Sequence, residues 1–251
     1  MNLTTTSKVP EATLAFWITK VLATTLGETA GDAVTMSMHA GYLLGTAIFG
    51  MLFLAAVAAQ MAASTFRPSL YWLAMVGATT VGTTMADFAD RSLGIGYPGG
   101  ASLLFALLMA SFFLWYRATG SLQLGSVSSG KSEFFYWLTI MFSQTLGTAL
   151  GDWTADSLGL GYAGGALVFG ALLLALWLLY RWTTVSRIAL FWAAFVLTRP
   201  LGAVLGDLLD KPIDHGGLAL SRYTASLALL AAMAAMVLLV RQRPAQSIAH
   251  G

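Results

Sequence analysis

Trp137-Leu138-Thr139-Ile140-Met141-Phe142-Ser143-Gln144-Thr145-Leu146-Gly147-Thr148-Ala149-Leu150-Gly151-Asp152 is one copy of a pattern that the chain repeats four times. The pattern is a Trp, nine residues, a Gly, three residues, a small residue and an Asp. The other copies are Trp17–Gly27–Gly31–Asp32, Trp72–Gly82–Ala86–Asp87 and Trp192–Gly202–Gly206–Asp207, and the offset from Trp to Asp is 15 in each. Every copy sits in an apolar stretch long enough to cross a bilayer. A carboxylate at one fixed depth in four such stretches is costly, which marks it as functional.

Composition places the chain in lipid. Its 251 residues are 57% hydrophobic and 10% charged, with mean hydropathy +0.75, whereas a soluble domain carries roughly 25% charged residues. A net charge of +2 says little about partners, because the basic residues are spread along the loops; no nucleic-acid partner is expected. The absence of cysteine rules out disulfides and thiolate metal sites. His39, His215 and His250 do not have the spacing of metal ligands. No cleavage site follows the first apolar run, so it is expected to be a retained helix rather than a signal peptide. No P-loop, catalytic triad, dinucleotide fingerprint or HExxH is present. The expectation is a protein that is not an enzyme, holds no cofactor and does not use ATP.

Eight helices of about 20 residues are expected, at 11–35, 42–63, 69–90, 98–117, 133–155, 163–182, 187–209 and 218–240. The fold class is therefore all-α, a polytopic membrane protein made of four two-helix repeats. Leu93-Gly94-Ile95-Gly96-Tyr97-Pro98-Gly99-Gly100 and Leu158-Gly159-Leu160-Gly161-Tyr162-Ala163-Gly164-Gly165 are nearly the same turn, met twice in the sequence. The spacings of 55, 65 and 55 between copies suggest two halves, 1–119 and 133–243, related by a shift of 120. Between them lies a Gly/Ser-rich linker, 120–132, and a tail follows at 244–251. Each repeat has an even number of helices, so all four insert the same way round and all four Asp lie at similar depth.

Loop charge sets the orientation. The side of the N-terminus holds Lys8, Arg67, Arg117, Lys131, Arg181, Arg187, Arg241 and Arg243; the other holds Arg91, Lys211 and Arg222. Both termini are thus expected to be cytoplasmic. The four Trp then fall at the cytoplasmic interface as an aromatic belt, with each Asp ~22 Å away in the outer half. Asp90, Asp156, Asp210, Asp214 and His215 read as solvated loop charges on the outer side.

The small residues at i and i+4 let helix backbones approach closely in lipid. They should bring the odd helices to the centre and leave the even helices facing lipid. Positions +7, +8, +11 and +15 from each Trp share one helix face. They are Thr24, Thr25, Glu28 and Asp32; Thr79, Thr80, Thr83 and Asp87; Gln144, Thr145, Thr148 and Asp152; and Arg199, Pro200, Ala203 and Asp207. Three helices thus present oxygens at matching levels, a pattern that suits a hard cation or a proton relay. The expected ion-binding residues are Glu28, Asp32, Asp87 and Asp152 as carboxylate metal ligands, with Thr25, Thr80, Thr145 and Gln144 as neutral ones. Arg199 is expected to balance charge by pairing with a carboxylate of a neighbouring helix or with Asp207, and Pro200 to kink its helix. Glu28 and Asp32, one turn apart, should repel. Lys20, three residues after Trp17, is expected to snorkel to the cytoplasmic surface.

The four-fold pattern, and Lys8-Val9-Pro10-Glu11-Ala12-Thr13 ahead of Phe16-Trp17, resemble a bacterial family of membrane-anchored proteins built from a repeat of unknown function. The resemblance covers essentially the whole chain. It implies a protein of the bacterial cytoplasmic membrane and carries over no catalytic residues. The expectation for function is a secondary transporter of a cation, a divalent metal exported in exchange for protons. A proton-coupled transporter of a small organic amine, and a scaffold that transports nothing, are the alternatives. The expected partners are the cation, protons and lipid, and a homo-oligomer is allowed.

Overall fold

Helix α1 (Leu14–Asp32) starts where the Thr13 side chain accepts a hydrogen bond from the Phe16 amide, satisfying one of the free N–H groups of a helix start. α3 (Pro68–Asp87) opens with proline in its first turn, where a missing N–H costs nothing. At the start of α5 (Gly130–Asp152), Ser129 and Ser132 cap each other's backbone. In the first three copies the helix loosens into a π turn directly after the Asp, at Ala33–Ser37, Phe88–Ser92 and Trp153–Ser157. The two near-identical turns then place Gly94 and Gly96 at φ 66° and 75°, and Gly159 and Gly161 at φ 68° and 64°. Side chains rarely tolerate that left-handed backbone, which explains why both glycines recur.

The computed structural model describes residues 7–246, so residues 247–251 of the expected tail lie outside the described residues. It is all-α. The remaining long helices are α2 (Gly41–Ala62), α4 (Tyr97–Thr119), α6 (Gly161–Trp182), α7 (Arg187–Asp210) and α8 (Arg222–Leu239), making eight among the described residues. They match the eight expected segments. α7 continues as one helix through Pro200.

The odd helices form a closed ring, α1 against α3, α3 against α5, α5 against α7 and α7 against α1. Each even helix lies outside the ring on the odd helix of the next copy: α2 on α3, α4 on α5, α6 on α7 and α8 back on α1. Every copy is therefore interlocked with its successor, across the 120–132 segment as much as elsewhere.

Glycine makes the ring possible. A Cβ at Gly27 would collide with Thr79, at Gly82 with Gln144, at Gly147 with Arg199 and at Gly202 with Thr24. In each case the Gly at +10 receives the +7 side chain of a neighbouring odd helix. The small residue at +14 does the same one turn further on, where a Cβ added at Gly31 would come within 3.1 Å of Thr83, at Gly151 within 3.0 Å of Ala203 and at Gly206 within 2.6 Å of Glu28. The expected packing role of these residues holds, and it is cyclic.

Leu43, Leu54, Leu103, Phe113, Leu167, Leu174, Leu227 and Leu238 are exposed on the even helices. Among the described residues, five helices are long and apolar enough to cross a membrane: α2, α4, α6, α7 and α8. α1, α3 and α5 are less apolar because their inward faces are lined with Thr, Gln and acids, and the ring shields those faces.

The 120–132 segment is packed, not loose. Val127 is buried, the Lys8 amide donates to the Val127 carbonyl at 3.0 Å, and Ser7 Oγ donates to the Leu124 carbonyl at 2.7 Å. Pro10 and Pro244 form a β-bridge, so the segments next to the two chain ends meet across the ring.

Adding one methyl should act in opposite directions at two helical glycines. Gly202→Ala should destabilise the protein by about 1–3 kcal/mol through overpacking against Thr24. Gly170→Ala, where nothing lies within reach, should stabilise it by about 0.5–1 kcal/mol. Thermal unfolding of the two variants in detergent measures the difference.

Candidate functional site

One helix face per copy lines the ring interior, and successive inward positions build it in layers. The first layer is aromatic. Each Trp is preceded by an aromatic residue (Phe16, Tyr71, Tyr136 and Phe191), and between neighbouring odd helices Phe16 packs on Trp72, Tyr71 on Trp137 and Tyr136 on Trp192 at centroid separations of 5.6–6.0 Å. The Tyr71 and Tyr136 hydroxyls share a 2.7 Å hydrogen bond. Trp72 donates to Gln242 Oε1 at 2.8 Å, and Trp192 donates to the Leu122 carbonyl at 3.0 Å. The interfacial belt expected from the sequence is corrected here: Trp72, Trp137 and Trp192 are buried in a plug that closes one end of the ring. The aromatic residue before every Trp is the sequence signal for that plug.

The +3 layer is Lys20, Met75, Ile140 and Phe195, all fully buried. Lys20 therefore does not snorkel. Its Nζ lies 3.9 Å over the Phe195 ring and has no hydrogen-bond partner. Each odd helix turns its +3 position inward, so the ammonium is led into the ring and away from any surface.

The next two layers centre on Arg199, which is 0% exposed. Its Nη2 bonds Glu28 Oε2 at 2.9 Å and Thr83 Oγ1 at 2.6 Å, and it also contacts Thr148 Oγ1. Thr83 Oγ1 lies 3.3 Å from Glu28 Oε2. The +7 side chain of α7 thus reaches up to the +11 level of α1, α3 and α5. Of the two expected partners of Arg199, a carboxylate of a neighbouring helix or Asp207, the structure has the first: Arg199 takes Glu28, and Asp207 is a turn further on with its own cation.

At +15 the four Asp are buried and split into two pairs, each bridged by a base. Lys211 contacts Asp32 and lies 3.1 Å from Asp207. Arg91 lies 2.9 Å from Asp87 and 3.6 Å from Asp152. Arg222 adds Asp210 at 3.1 Å and Asp32 at 3.8 Å. The carboxylate oxygens of Asp32, Asp207 and Asp210 lie within 4.8 Å of one another. One oxygen each of Asp32 and Asp210 accepts no hydrogen bond.

The residues expected as one carboxylate set do not meet as that set. Glu28 is held one turn deeper, Asp32 joins Asp207 and Asp210, and Asp87 joins Asp152. The Glu28–Asp32 repulsion is relieved because each acid has its own base. Thr80 and Thr145 donate to the Val76 and Met141 carbonyls of their own helices at 2.9 and 3.0 Å. Thr25 is buried with its carbonyl against Gly206 of α7, and Gln144 is buried with both amide atoms unpartnered.

Asp210, Lys211, Arg91 and Arg222 belong to this layer although the sequence reads them as loop charges. Asp210 is only 7% exposed. A signal for two of them is present: Arg91 and Lys211 both stand at +19 from their Trp, in copies two and four, related by the same shift of 120 as the two halves. Each bridges its own Asp and that of the next odd helix. The Asp layer is two-fold symmetric within a four-fold scaffold.

Together these features define a ring-shaped helical repeat protein with a polar, ion-paired interior. A family described as Repeat of Unknown Function (DUF347) matches at residues 15–66, 70–121, 135–186 and 190–243, and the chain belongs to it. Each match runs from the first turns of an odd helix through the even helix that follows, as the sequence pattern requires. No curated protein and no solved structure matches the chain.

Arg199→Met should destabilise the protein by about 3–5 kcal/mol, because Glu28 is left charged and buried without a partner. The double variant Arg199→Met/Glu28→Met should recover most of that loss. A double-mutant cycle of thermal stabilities reads the coupling.

Proposed function

We propose that the protein is a polytopic transporter of a cation, with all eight long helices spanning a bacterial cytoplasmic membrane and both termini in the cytoplasm. The observation that carries the reading is the buried triad of Asp32, Asp207 and Asp210, held together by the tethered cations Lys211 and Arg222. Three carboxylates that can converge on one point form an all-oxygen site, the donor set of a hard divalent ion such as Mg²⁺ or Mn²⁺ rather than of a soft metal. Lys211 and Arg222 together leave the triad one negative charge while no substrate is bound. An arriving divalent cation displaces the ammonium, and the return of Lys211 together with one proton restores neutrality when the cation leaves. Arg91 plays the same part for Asp87 and Asp152 on the other side of the ring. The aromatic plug closes one end of the path, and its opening is the step that would alternate access.

A small organic amine is the second reading, and it has its own support: the triad already accommodates the primary ammonium of Lys211. Nothing in either reading calls for a chemical reaction or a cofactor.

In cells expressing the protein, Asp32→Asn and Asp87→Asn should each change the accumulation of, and tolerance to, divalent metals. Lys211→Gln should tighten cation binding by about tenfold, because no tethered charge competes. Metal accumulation by elemental analysis and flux in proteoliposomes, with Mn²⁺ competed against methylamine, are the measurements. Wild-type behaviour of both Asp variants for metal and amine alike would sink the proposal and favour a scaffold.

A further inference from the structure

The ring interior between the aromatic plug and the Asp layer carries more hydrogen-bond donors than its neighbours answer. Lys20 and Arg199 both point into it and are 0% exposed, while Glu28 is the one carboxylate at that depth among the described residues. Arg199 spends Nη2 on Glu28, Thr83 and Thr148, but its Nε and Nη1 have no partner. Lys20 Nζ has none either and meets the Phe195 face, one turn before Arg199 on α7. Gln144 lies one turn before Thr148 on the inward face of α5. Its side chain is 0% exposed, and its Nε2 and Oε1 are unpartnered. Buried donors without acceptors cost roughly 1–3 kcal/mol each, and more when charged. Here they come from three different helices, α1, α5 and α7, at adjacent inward levels of the ring.

The geometry points to a binding site for a small monovalent anion, a carboxylate or an inorganic ion of similar size, between Lys20, Arg199 and Gln144. Glu28 meets Arg199 through Nη2 alone, so the remaining guanidinium N–H groups and the Lys20 amine are donors that an anion would answer. The free N–H groups on Arg199 Nε and Nη1 supply charge-assisted donors, the strong kind for an anionic acceptor. Lys20 supplies a point charge from the plug side, and the Gln144 amide a neutral donor. Met75, Ile140 and Phe195 share the level of Lys20 and are apolar, which strengthens its attraction for an anion. The site lies below the Arg199–Glu28 pair and uses none of the Asp residues. It is therefore separate from the cation reading, and either can fail without the other.

The test uses the purified whole chain in detergent. Thermal unfolding is followed against sodium formate, acetate, nitrate and chloride, with ionic strength held constant by a bulky anion. At least one small anion should raise the melting temperature saturably, because a ligand that binds only the folded state stabilises it. Lys20→Met, which installs the residue that copy two carries at Met75, should weaken that anion's apparent affinity by about thirtyfold. Gln144→Leu should weaken it by about fivefold, on the scale of one neutral hydrogen bond. Gly170→Ala on the outer helix α6 should leave the affinity unchanged. A wild-type protein that shows no saturable shift with any of the four anions, as solvent filling of the space would give, overturns the proposal. So does a Lys20→Met variant that keeps wild-type affinity. Should Lys20→Met not fold, Gln144→Leu decides in its place, and wild-type affinity in that variant overturns the proposal equally.

Discussion

The constraint on which everything else depends is the close approach of α1, α3, α5 and α7. Four helices can close a ring this tight only if each gives its neighbour room at the point of contact. The Gly at +10 and the small residue at +14 provide that room, and the side chains that fill it stand at +7 and +11 of a neighbouring helix. Packing and lining are therefore one arrangement. The side chains whose stems fit into the glycine grooves are Thr79, Gln144, Arg199, Glu28 and Thr83, and the same residues carry the interior chemistry. In lipid, where burying apolar surface between helices contributes little, such contact and the polar links across it hold helices together.

With the ring closed, depth along its axis decides which residues can interact. Aromatic, mixed, guanidinium, hydroxyl and carboxylate levels follow one another at one-turn intervals. Apart from Lys20, each charged group is answered mainly within its own level or the adjacent one. Glu28 is held by Arg199 and the +15 acids by Lys211, Arg91 and Arg222. Buried ion pairs rarely add much net stability, since desolvation offsets their attraction. Their retention in a repeat that could have kept Thr or Ala there, as copies two to four do at +11, fits a working interior better than a merely structural one.

The scaffold is four-fold but its chemistry is not. Copies two and four carry the bases at +19, which makes the carboxylate layer two-fold. Arg199, Lys20 and Arg222 each occur once, which removes even that symmetry. A symmetric set of backbones carries different side chains at its inward positions, which places distinct ion-paired clusters at distinct depths. The even helices, exposed and apolar, changed less in character because their surroundings ask only for hydrophobicity.

The residues alone determined the number and positions of the helices, the parallel sense of the copies and the common depth of the four Asp. Those follow from local periodicity and a constant offset of 15, which need no knowledge of neighbours. Membership of the repeat family was legible for the same reason. The role of the small residues was legible too, because a glycine at i and i+4 has few other uses in an apolar helix. Only the tertiary structure decided the partners. Glu28 and Arg199 are 171 residues apart, Lys211 and Asp32 are 179 apart, and no spacing rule connects either pair. Lys20 and the Trp residues escape a sequence reading because an amphipathic side chain near a helix end has two outlets, the surface or the bundle interior. Its angular position relative to the neighbouring helices chooses between them, and that angle exists only once the ring has closed.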